Sequence, residues 1–194
     1  MTRGEADRIL ELARELGALV FGDFLLSSGQ RSSYYFDGRL LTLNPEGSYL
    51  VSRALLPVVY QYGAEAVGGP TLGADPMVGA MILTSQLEQR PVRGFLVRKA
   101  TKEHGTARLI EGGLANRAGA CSPIQVAIVV DTCSTGGNLI SAIEAVEAIG
   151  CKVVCVATVL DRQQGGSEDI RKRGYPFHSI LEADSAGRIT PSLE

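Results

Sequence analysis

One stretch of the chain joins an apolar strand to a turn whose residues are suited to binding phosphate. Residues 126–130 are all apolar, which is typical of a strand buried on both faces, and Asp131 ends the run. The turn that follows, residues 132–138, is rich in hydroxyl groups and glycine and leads directly into a helical pattern. Unpaired N–H groups at a helix start favour an anion, and glycine lets a phosphate approach the backbone closely. We therefore predict a phosphate site at residues 134–138 with Asn138 as the helix cap, although a tight turn without a ligand would have the same composition.

A second stretch, residues 98–105, places three cations and a titratable histidine in one short segment. Arg98, Lys99, Lys102 and His104 together match the negative charge of a pyrophosphate leaving group. The longer run to residue 120 is rich in glycine and charge and has no clear period, which in a compact domain usually means a functional or a disordered loop. The alternative is a solvated loop without a role in chemistry. Three glycines would let this loop move: Gly105, Gly112 and Gly113.

Candidate groups for binding a planar carboxylate or an aromatic ring lie elsewhere. Arg162 belongs to the segment Asp-Arg-Gln-Gln-Gly-Gly, residues 161–166, and a guanidinium matches a carboxylate in two-point geometry. The alternative for this arginine is a surface salt bridge. Tyr34 and Tyr35 follow a stretch rich in serine near the N-terminus, and they are either part of a binding site or core aromatics.

The first third of the chain predicts helices with a hairpin between them. The spacing of apolar residues predicts an opening amphipathic helix, and residues 19–36 indicate a hairpin or an irregular loop. Pro45, preceded by Asn44 as a cap, starts a second helix in which Pro57 should cause a kink or a break. After a short strand at residues 64–67, Pro76 should start another helix, capped by Asp75.

Strand and helix patterns alternate through the rest of the chain. We predict strands at residues 92–97, 126–130, 152–160 and 177–181, and helices at residues 137–149 and 167–173. This alternation indicates an α/β fold with a mainly parallel central sheet flanked by helices. Ligands in such folds bind outside the carboxyl ends of the strands, where the unusual loops of this chain fall. Because no repeat or linker is evident, we assign residues 1–194 to a single domain.

Composition excludes several other classes of protein. The net charge is 19 − 21 = −2, which gives no overall attraction to nucleic acid or to an anionic membrane. No apolar run reaches the roughly 20 residues that span a bilayer, and the charged N-terminal segment is no signal peptide, so we expect a cytoplasmic protein. The four cysteines form no CxxC pair, which disfavours a zinc site, and we expect reduced thiols.

The strand, acid and turn at residues 126–138 resemble the signature of the type I phosphoribosyltransferases. In that family the turn holds the 5′-phosphate of phosphoribosyl pyrophosphate (PRPP), and the acid approaches the ribose hydroxyls. The resemblance implies those roles for Ser134 to Asn138 and for Asp131. It implies this set of PRPP-binding residues: Arg98, Lys99, Lys102, His104, Asp131, Thr132, Cys133, Ser134, Thr135, Gly136, Gly137 and Asn138.

Four further segments resemble the orotate phosphoribosyltransferases, and the likeness runs from about residue 12 to residue 181. They are R-K-x-x-K-x-H-G at residues 98–105, S-G-x-x-S-x-Y-Y at 28–35, D-R-x-x-G-G at 161–166, and the loop at 67–76. The resemblance implies transfer of the phosphoribosyl group from PRPP to orotate, with Lys102, His104 and Asp131 as catalytic residues and Ser134 and Arg162 as orotate-binding residues. It also implies a hood at about residues 1–40, a mobile catalytic loop at about 98–113, Mg2+ held mainly by PRPP and water, and a homodimer whose loops reach the neighbouring site.

Two positions depart from the family pattern and keep other functions open. The family usually has two adjacent acids, and here Val130 stands in the first position; many members also have a lysine where this chain has Ser27. A phosphoribosyltransferase for another base is therefore an alternative, as is a non-catalytic regulator that senses PRPP. The turn after Asp131 has no lysine and no GxGxxG spacing, which excludes a P-loop or a dinucleotide enzyme.

Overall fold

A computed structural model of the chain describes residues 2–25, 31–99, 109–114 and 123–192. Its elements in chain order are α1 (Arg3–Glu15), β1 (Leu19–Leu25), β2 (Arg31–Phe36), α2 (Gly38–Thr42), α3 (Pro45–Gln61), β3 (Ala66–Pro70), α4 (Asp75–Leu87), β4 (Arg93–Val97), β5 (Ile110–Gly112), β6 (Gln125–Cys133), α5 (Gly137–Glu147), β7 (Lys152–Asp161), α6 (Gly166–Lys172), β8 (Phe177–Ala183) and β9 (Ile189–Pro191).

Seven of these strands form one sheet in the order β5-β4-β3-β6-β7-β8-β9. Strands β4, β3, β6, β7 and β8 run parallel, and the two edge strands, β5 and β9, are antiparallel to their neighbours. The mainly parallel sheet predicted from the alternating pattern is confirmed. Its switch point lies between β3 and β6, because the chain turns outward to β4 before it returns to β6.

Helices cover both faces of the sheet, so the central strands have no solvated side. Residues of α1 to α4 pack with Ala127 and Val129 of β6 on one face, and residues of α5 and α6 pack with Ile128 and Val130 on the other. Each fully buried Val or Ile contributes about 1.5–3 kcal/mol relative to an exposed one. This alternation explains why residues 126–130 are all apolar.

The N-terminal region divides between the core and a separate hairpin. Helix α1 begins with a capping box between Thr2 and Glu5 and buries Ile9 and Ala13 in the main core. Strands β1 and β2 form an antiparallel two-stranded sheet of their own. The predicted hairpin is therefore confirmed, and its connection, residues 26–30, lies outside the described residues.

Two local expectations need correction. Of the kink or break predicted at Pro57, the break is absent: helix α3 continues through Pro57 to Gln61, since buried Leu56 and Val59 on either side keep both parts of the helix packed. Asp75 is the first residue of α4 and not its cap; the cap position is Ala74, which makes no side-chain hydrogen bond.

Three short elements were not expected: α2, β5 and β9. Strand β5 lies inside the segment predicted as a mobile loop. A Cβ on its Gly112 would lie 2.7 Å from the carbonyl oxygen of Gly94, so this glycine is needed for close strand packing and is not a free hinge. Among the described residues, no helix combines the length and apolar character required to cross a bilayer.

Candidate active site

A cavity of about 1160 Å3 opens at the carboxyl ends of β3, β4, β6 and β7. It brings together most of the side chains that the sequence singled out: Arg98, Lys99, residues 131–138 and Arg162. The parallel topology explains this, because the carboxyl ends of neighbouring parallel strands meet at one edge of the sheet. Lys102, His104 and Ser27 lie outside the described residues.

The phosphate turn is shaped by a glycine in a left-handed conformation. Gly136 has φ 78° and occupies the cap position of α5, so no side chain caps this helix. The expectation that Asn138 caps α5 was therefore wrong; Asn138 is the second residue of the helix and is exposed. The first N–H groups of α5 remain available to an anion at the cavity surface.

The contact between Gly136 and Gly166 fixes the position of this turn. The N–H of Gly166 donates to the carbonyl oxygen of Ser134 at 3.0 Å. A Cβ on Gly166 would lie 2.5 Å from the nitrogen of Gly136 and 2.6 Å from that carbonyl oxygen. Two backbone segments thus touch without any side chain between them, which joins the phosphate turn to the start of α6.

The turn presents a mixture of side chains and backbone to the cavity. Ser134 is half-buried and Thr135 is exposed, so both hydroxyls can reach a ligand. The Cys133 side chain is 1% exposed and packs with the core under α5, and burial raises its thiol pKa to about 12. Cys133 therefore has only backbone groups to offer a substrate.

Asp131 lies at the end of β6 in tight contact with two glycines. A Cβ on Gly38 would lie 2.9 Å from its Oδ2, and a Cβ on Gly73 would lie 3.1 Å from its Cγ. Burial raises the pKa of Asp131, hydrogen bonding from the Thr132 backbone lowers it, Asp37 raises it and Arg39 lowers it. The preceding residue, Val130, is 7% exposed and lines the same cavity. Asp131 is thus the acid at the end of β6, as the sequence indicated.

Arg162 at the end of β7 is held by side chains from β2. Its Nε donates to the Tyr34 hydroxyl at 3.1 Å, one Nη2 hydrogen reaches Ser32 Oγ at 3.3 Å, and its guanidinium carbon lies 4.8 Å from the centre of the Tyr34 ring. The backbone N–H of Arg162 donates to the carbonyl of Cys133 at 2.8 Å. Tyr34 is 4% exposed, so it is both a core aromatic and a partner of this arginine, whereas Tyr35 is exposed and lines the cavity.

The basic segment after β4 enters the cavity where the described residues end. Arg98 forms an ion pair with Glu111 at 3.3 Å, and its N–H donates to the carbonyl of Leu109 at 2.8 Å. Lys99 also lines the cavity. These two cations lie at the edge of the cavity and belong to the segment in which the sequence predicted a leaving-group site.

The sequence analysis assigned no role in the site to Asp37 and Arg39, which both line the cavity. They flank Gly38 at the start of the short helix α2, which has no apolar period to reveal it. The one available signal was an aspartate directly before a possible helix start, a common cap residue.

Comparison with known proteins gives the family. A scan against models of protein families finds no match. Orotate phosphoribosyltransferases from Aquifex aeolicus and Mycobacterium avium are 40% and 39% identical, over 82% and 93% of this chain and 84% and 96% of their own. The crystal structure of the orotate phosphoribosyltransferase from Mycobacterium tuberculosis superposes with a TM-score of 0.78 at 37% identity, covering 95% of this chain and 99% of that one. A second crystal structure of that enzyme, in complex with PRPP, gives 0.73 at 34% identity, covering 92% and 96%.

These likenesses extend over nearly the whole of both chains and coincide with an α/β sheet that carries the predicted turn, acid and arginine in one cavity. The chain is therefore an enzyme of the orotate phosphoribosyltransferase family, the type I phosphoribosyltransferases that transfer the phosphoribosyl group of PRPP to orotate in pyrimidine biosynthesis.

Proposed function

We propose that the cavity described above is where this enzyme binds PRPP and orotate and joins them, releasing pyrophosphate. The observation that carries the proposal is that an anion-receptive helix start, a half-buried acid and a fixed guanidinium line one cavity. In the reaction, the bond from the anomeric carbon to pyrophosphate breaks and a bond to a ring nitrogen of orotate forms. Positioning and charge stabilisation are the main means of catalysis.

The 5′-phosphate of PRPP is bound by the turn of residues 134–138. The N–H groups of Gly137 and Asn138 and the hydroxyls of Ser134 and Thr135 donate to phosphate oxygens, and Gly136 leaves room for close approach. Thr132 and Cys133 contribute backbone groups between this turn and the ribose. A PRPP complex of the related M. tuberculosis enzyme supports the choice of ligand.

Asp131 accepts hydrogen bonds from the ribose hydroxyls and stabilises the positive charge that develops on the ribose. The apolar side chain of Val130 accepts no hydrogen bond, so of the two positions where the family usually has acids, the second, Asp131, supplies the carboxylate. Its close packing against Gly38 and Gly73 favours a single carboxylate position.

Orotate is oriented by Arg162, assisted by Ser134. The Nε of Arg162 donates to the Tyr34 hydroxyl, and one hydrogen of its Nη2 donates to Ser32 Oγ. Its Nη1 donates to none of the residues that the structure describes. Nη1 and the second hydrogen of Nη2 form an edge suited to two-point binding of a carboxylate. This edge would select orotate over bases that lack the carboxylate.

Arg98, Lys99, Lys102 and His104 neutralise the departing pyrophosphate. Because β5 is fixed in the main sheet, we propose that only the residues between β4 and β5 close over the site, which would also exclude water that could otherwise hydrolyse PRPP. We predict that Lys102→Ala lowers kcat about tenfold or more without changing Tm, because a charge-stabilising group is lost. Steady-state kinetics and a melting curve check this, and a near-normal kcat would remove Lys102 from the mechanism.

Mg2+ is the cofactor we propose for this reaction. The carboxylates of Asp37 and Asp131 line the cavity. Such hard oxygen donors suit an Mg2+ ion held mainly by PRPP oxygens and water, as this hard cation prefers. When bound with PRPP, Mg2+ would supply positive charge that matches the negative charge of the pyrophosphate.

We further propose a homodimer and a single phosphoribosyltransferase domain over residues 1–194. Exposed apolar side chains on α3 and α4, among them Tyr49, Leu83 and Leu87, support a subunit contact there. Both helices pack against the main sheet, which supports the single domain. The cytoplasmic location stays a prediction.

Loss of orotate absorbance with PRPP and Mg2+ tests the proposed function directly. We expect loss that requires PRPP, stops with a metal chelator, and fails with adenine, hypoxanthine, guanine or uracil in place of orotate. Turnover of another base but not of orotate would overturn the base assignment. PRPP binding without turnover of any base would favour the regulator that senses PRPP.

A further inference from the structure

Arg39 is a cation in the cavity to which the sequence assigned no role. It lies in α2 and lines the cavity together with Asp131 and the loop Thr71–Gly73. Its side chain is 48% exposed, so the guanidinium is open to a ligand. Arg39 therefore enters the cavity from a different element than Arg98 and Arg162, which follow β4 and β7.

The orientation of Arg39 is set by its neighbour Asp37. Nε donates to Oδ1 of Asp37 and Nη2 donates to Oδ2, each at 2.9 Å, in a two-point ion pair. The same carboxylate accepts the backbone N–H of Arg39 at 3.1 Å and so caps α2. Nη1 donates to no residue in the described ranges, which leaves it for an anion. Because the ion pair with Asp37 already restricts the Arg39 side chain, this side chain loses little further conformational entropy when an anion binds.

The residue between them brings this pair against the ribose acid. A Cβ on Gly38 would lie 2.6 Å from the Asp131 Cβ, so the start of α2 is in close contact with Asp131. Gly73, from the loop after β3, touches the other carboxylate oxygen of Asp131. Arg39 also lowers the pKa of Asp131 through its charge. Arg39 and the loop after β3 are therefore neighbours of the same carboxylate.

We propose that Arg39 binds the pyrophosphate group of PRPP and is a substrate-contacting residue of this enzyme, oriented by Asp37. The proposal rests on the function proposed above, in which Asp131 marks the ribose. Pyrophosphate leaves the anomeric carbon beside the ribose hydroxyls, and the 5′-phosphate is bound at the distant end of the ribose by residues 134–138. Arg39 lies beside Asp131 and Gly73, so the anionic group of PRPP within its reach is the pyrophosphate.

The test is calorimetric titration of the full-length protein with pyrophosphate and with ribose 5-phosphate, each in the presence of Mg2+. The variants are Arg39→Gln, which removes the charge, and Arg39→Lys, which keeps it without the two-point pair. The backbone bond from residue 39 to Asp37 is retained in both, so α2 keeps its cap. Arg53→Gln is the matched control, because Arg53 is 46% exposed and pairs with Glu88 at 2.9 Å outside the cavity.

We expect Arg39→Gln to weaken pyrophosphate binding about tenfold, as the loss of a charged hydrogen bond predicts, and to leave ribose 5-phosphate binding unchanged. Arg39→Lys should keep part of the affinity and Arg53→Gln all of it. In turnover, Arg39→Gln should raise the KM for PRPP and not that for orotate. Unchanged pyrophosphate binding in Arg39→Gln, or an equal loss for ribose 5-phosphate or in Arg53→Gln, would overturn the proposal. Failure of the proposed function would appear separately, as a wild-type protein that does not consume orotate.

Discussion

The two ends of the cavity are built in different ways. The phosphate turn consists of consecutive residues, 134–138, and half of its proposed ligand groups are backbone N–H groups. The base end consists of Arg162 with Tyr34 and Ser32, which are 128 and 130 positions away in the chain. One end therefore depends on the path of the backbone, and the other depends on hydrogen bonds between side chains of distant elements.

This difference determines how each end tolerates substitution. At the phosphate end, Gly136 and Gly166 are in backbone contact, and a single added carbon forces the turn to move. At the base end, a lost hydroxyl leaves the backbone unchanged and removes one hydrogen bond. We therefore expect large effects on PRPP from small changes at the first end, and graded effects on orotate at the second.

The largest effect should come from Gly166→Ala. Its Cβ would meet the Gly136 nitrogen at 2.5 Å and the Ser134 carbonyl oxygen at 2.6 Å, so the turn must shift away from α6. Because misplacement by about 1 Å can cost about 100-fold in rate, kcat/KM for PRPP should fall by roughly that factor. Gly79→Ala in α4 is the control, since a Cβ there meets nothing within 4 Å. A Gly166→Ala enzyme as active as Gly79→Ala would show that the contact does not position the turn.

The same contrast explains what could be predicted from the sequence. The phosphate turn was found because its chemistry lies in five neighbouring residues just after an apolar strand. Arg162 was found from its motif, but its hydrogen bonds to Tyr34 and Ser32 depend on tertiary packing that no local pattern records. The central strands and long helices follow from periodicity, which long elements display clearly.

Short elements and helix caps could not be predicted from periodicity. Helix α2 has five residues and β5 and β9 have three each, too few to show a period, and with α2 the pair Asp37 and Arg39 was missed. Asn138 was mistaken for a cap because the actual cap, Gly136, has no side chain to signal its role. Hydrogen-bonding side chains favour cap positions, but a glycine at positive φ can replace them.

Arg162→Ala should have the next largest effect, and on the other substrate. Loss of a two-point contact to a carboxylate predicts an increase of about thirtyfold in the KM for orotate, with a much smaller change in the KM for PRPP. Initial rates with each substrate varied in turn give both constants. Equal increases in the two KM values would contradict a contact between Arg162 and the base, and would reduce the contrast between the ends.

Lowering the pH should weaken the binding of PRPP through Asp131 and leave the binding of orotate unchanged. Burial raises the pKa of Asp131, so its carboxylate becomes protonated at a higher pH than an ordinary aspartate. Below that pKa the KM for PRPP should rise by up to about tenfold for each pH unit, while the KM for orotate, which does not depend on Asp131, stays constant. Asp131→Asn should lose this dependence, which separates it from protonation of PRPP itself.

Unfolding cannot imitate this acid effect through Asp131. A carboxyl whose pKa is raised by folding stabilises the folded state when it is protonated, so its contribution is present at low pH and lost as the pH rises through the folded pKa. Asp131 thus favours folding under the conditions that weaken PRPP binding. A Tm that falls more steeply in the wild type than in Asp131→Asn as the pH is lowered would contradict this assignment.

The smallest effect, Tyr34→Phe, is the sharpest test of how the base end is built. The substitution removes the 3.1 Å hydrogen bond to Arg162 Nε but keeps the ring, which is 4% exposed and packs in the core, so the fold should be preserved. One neutral hydrogen bond contributes about 1 kcal/mol, which predicts a rise of about fivefold in the KM for orotate. In the Arg162→Ala background the same change should have little effect, because the hydroxyl then has no guanidinium to orient. Additive effects in the double variant would mean that Tyr34 acts on orotate independently of Arg162, and that the base end is held by separate contacts and not by one oriented arginine.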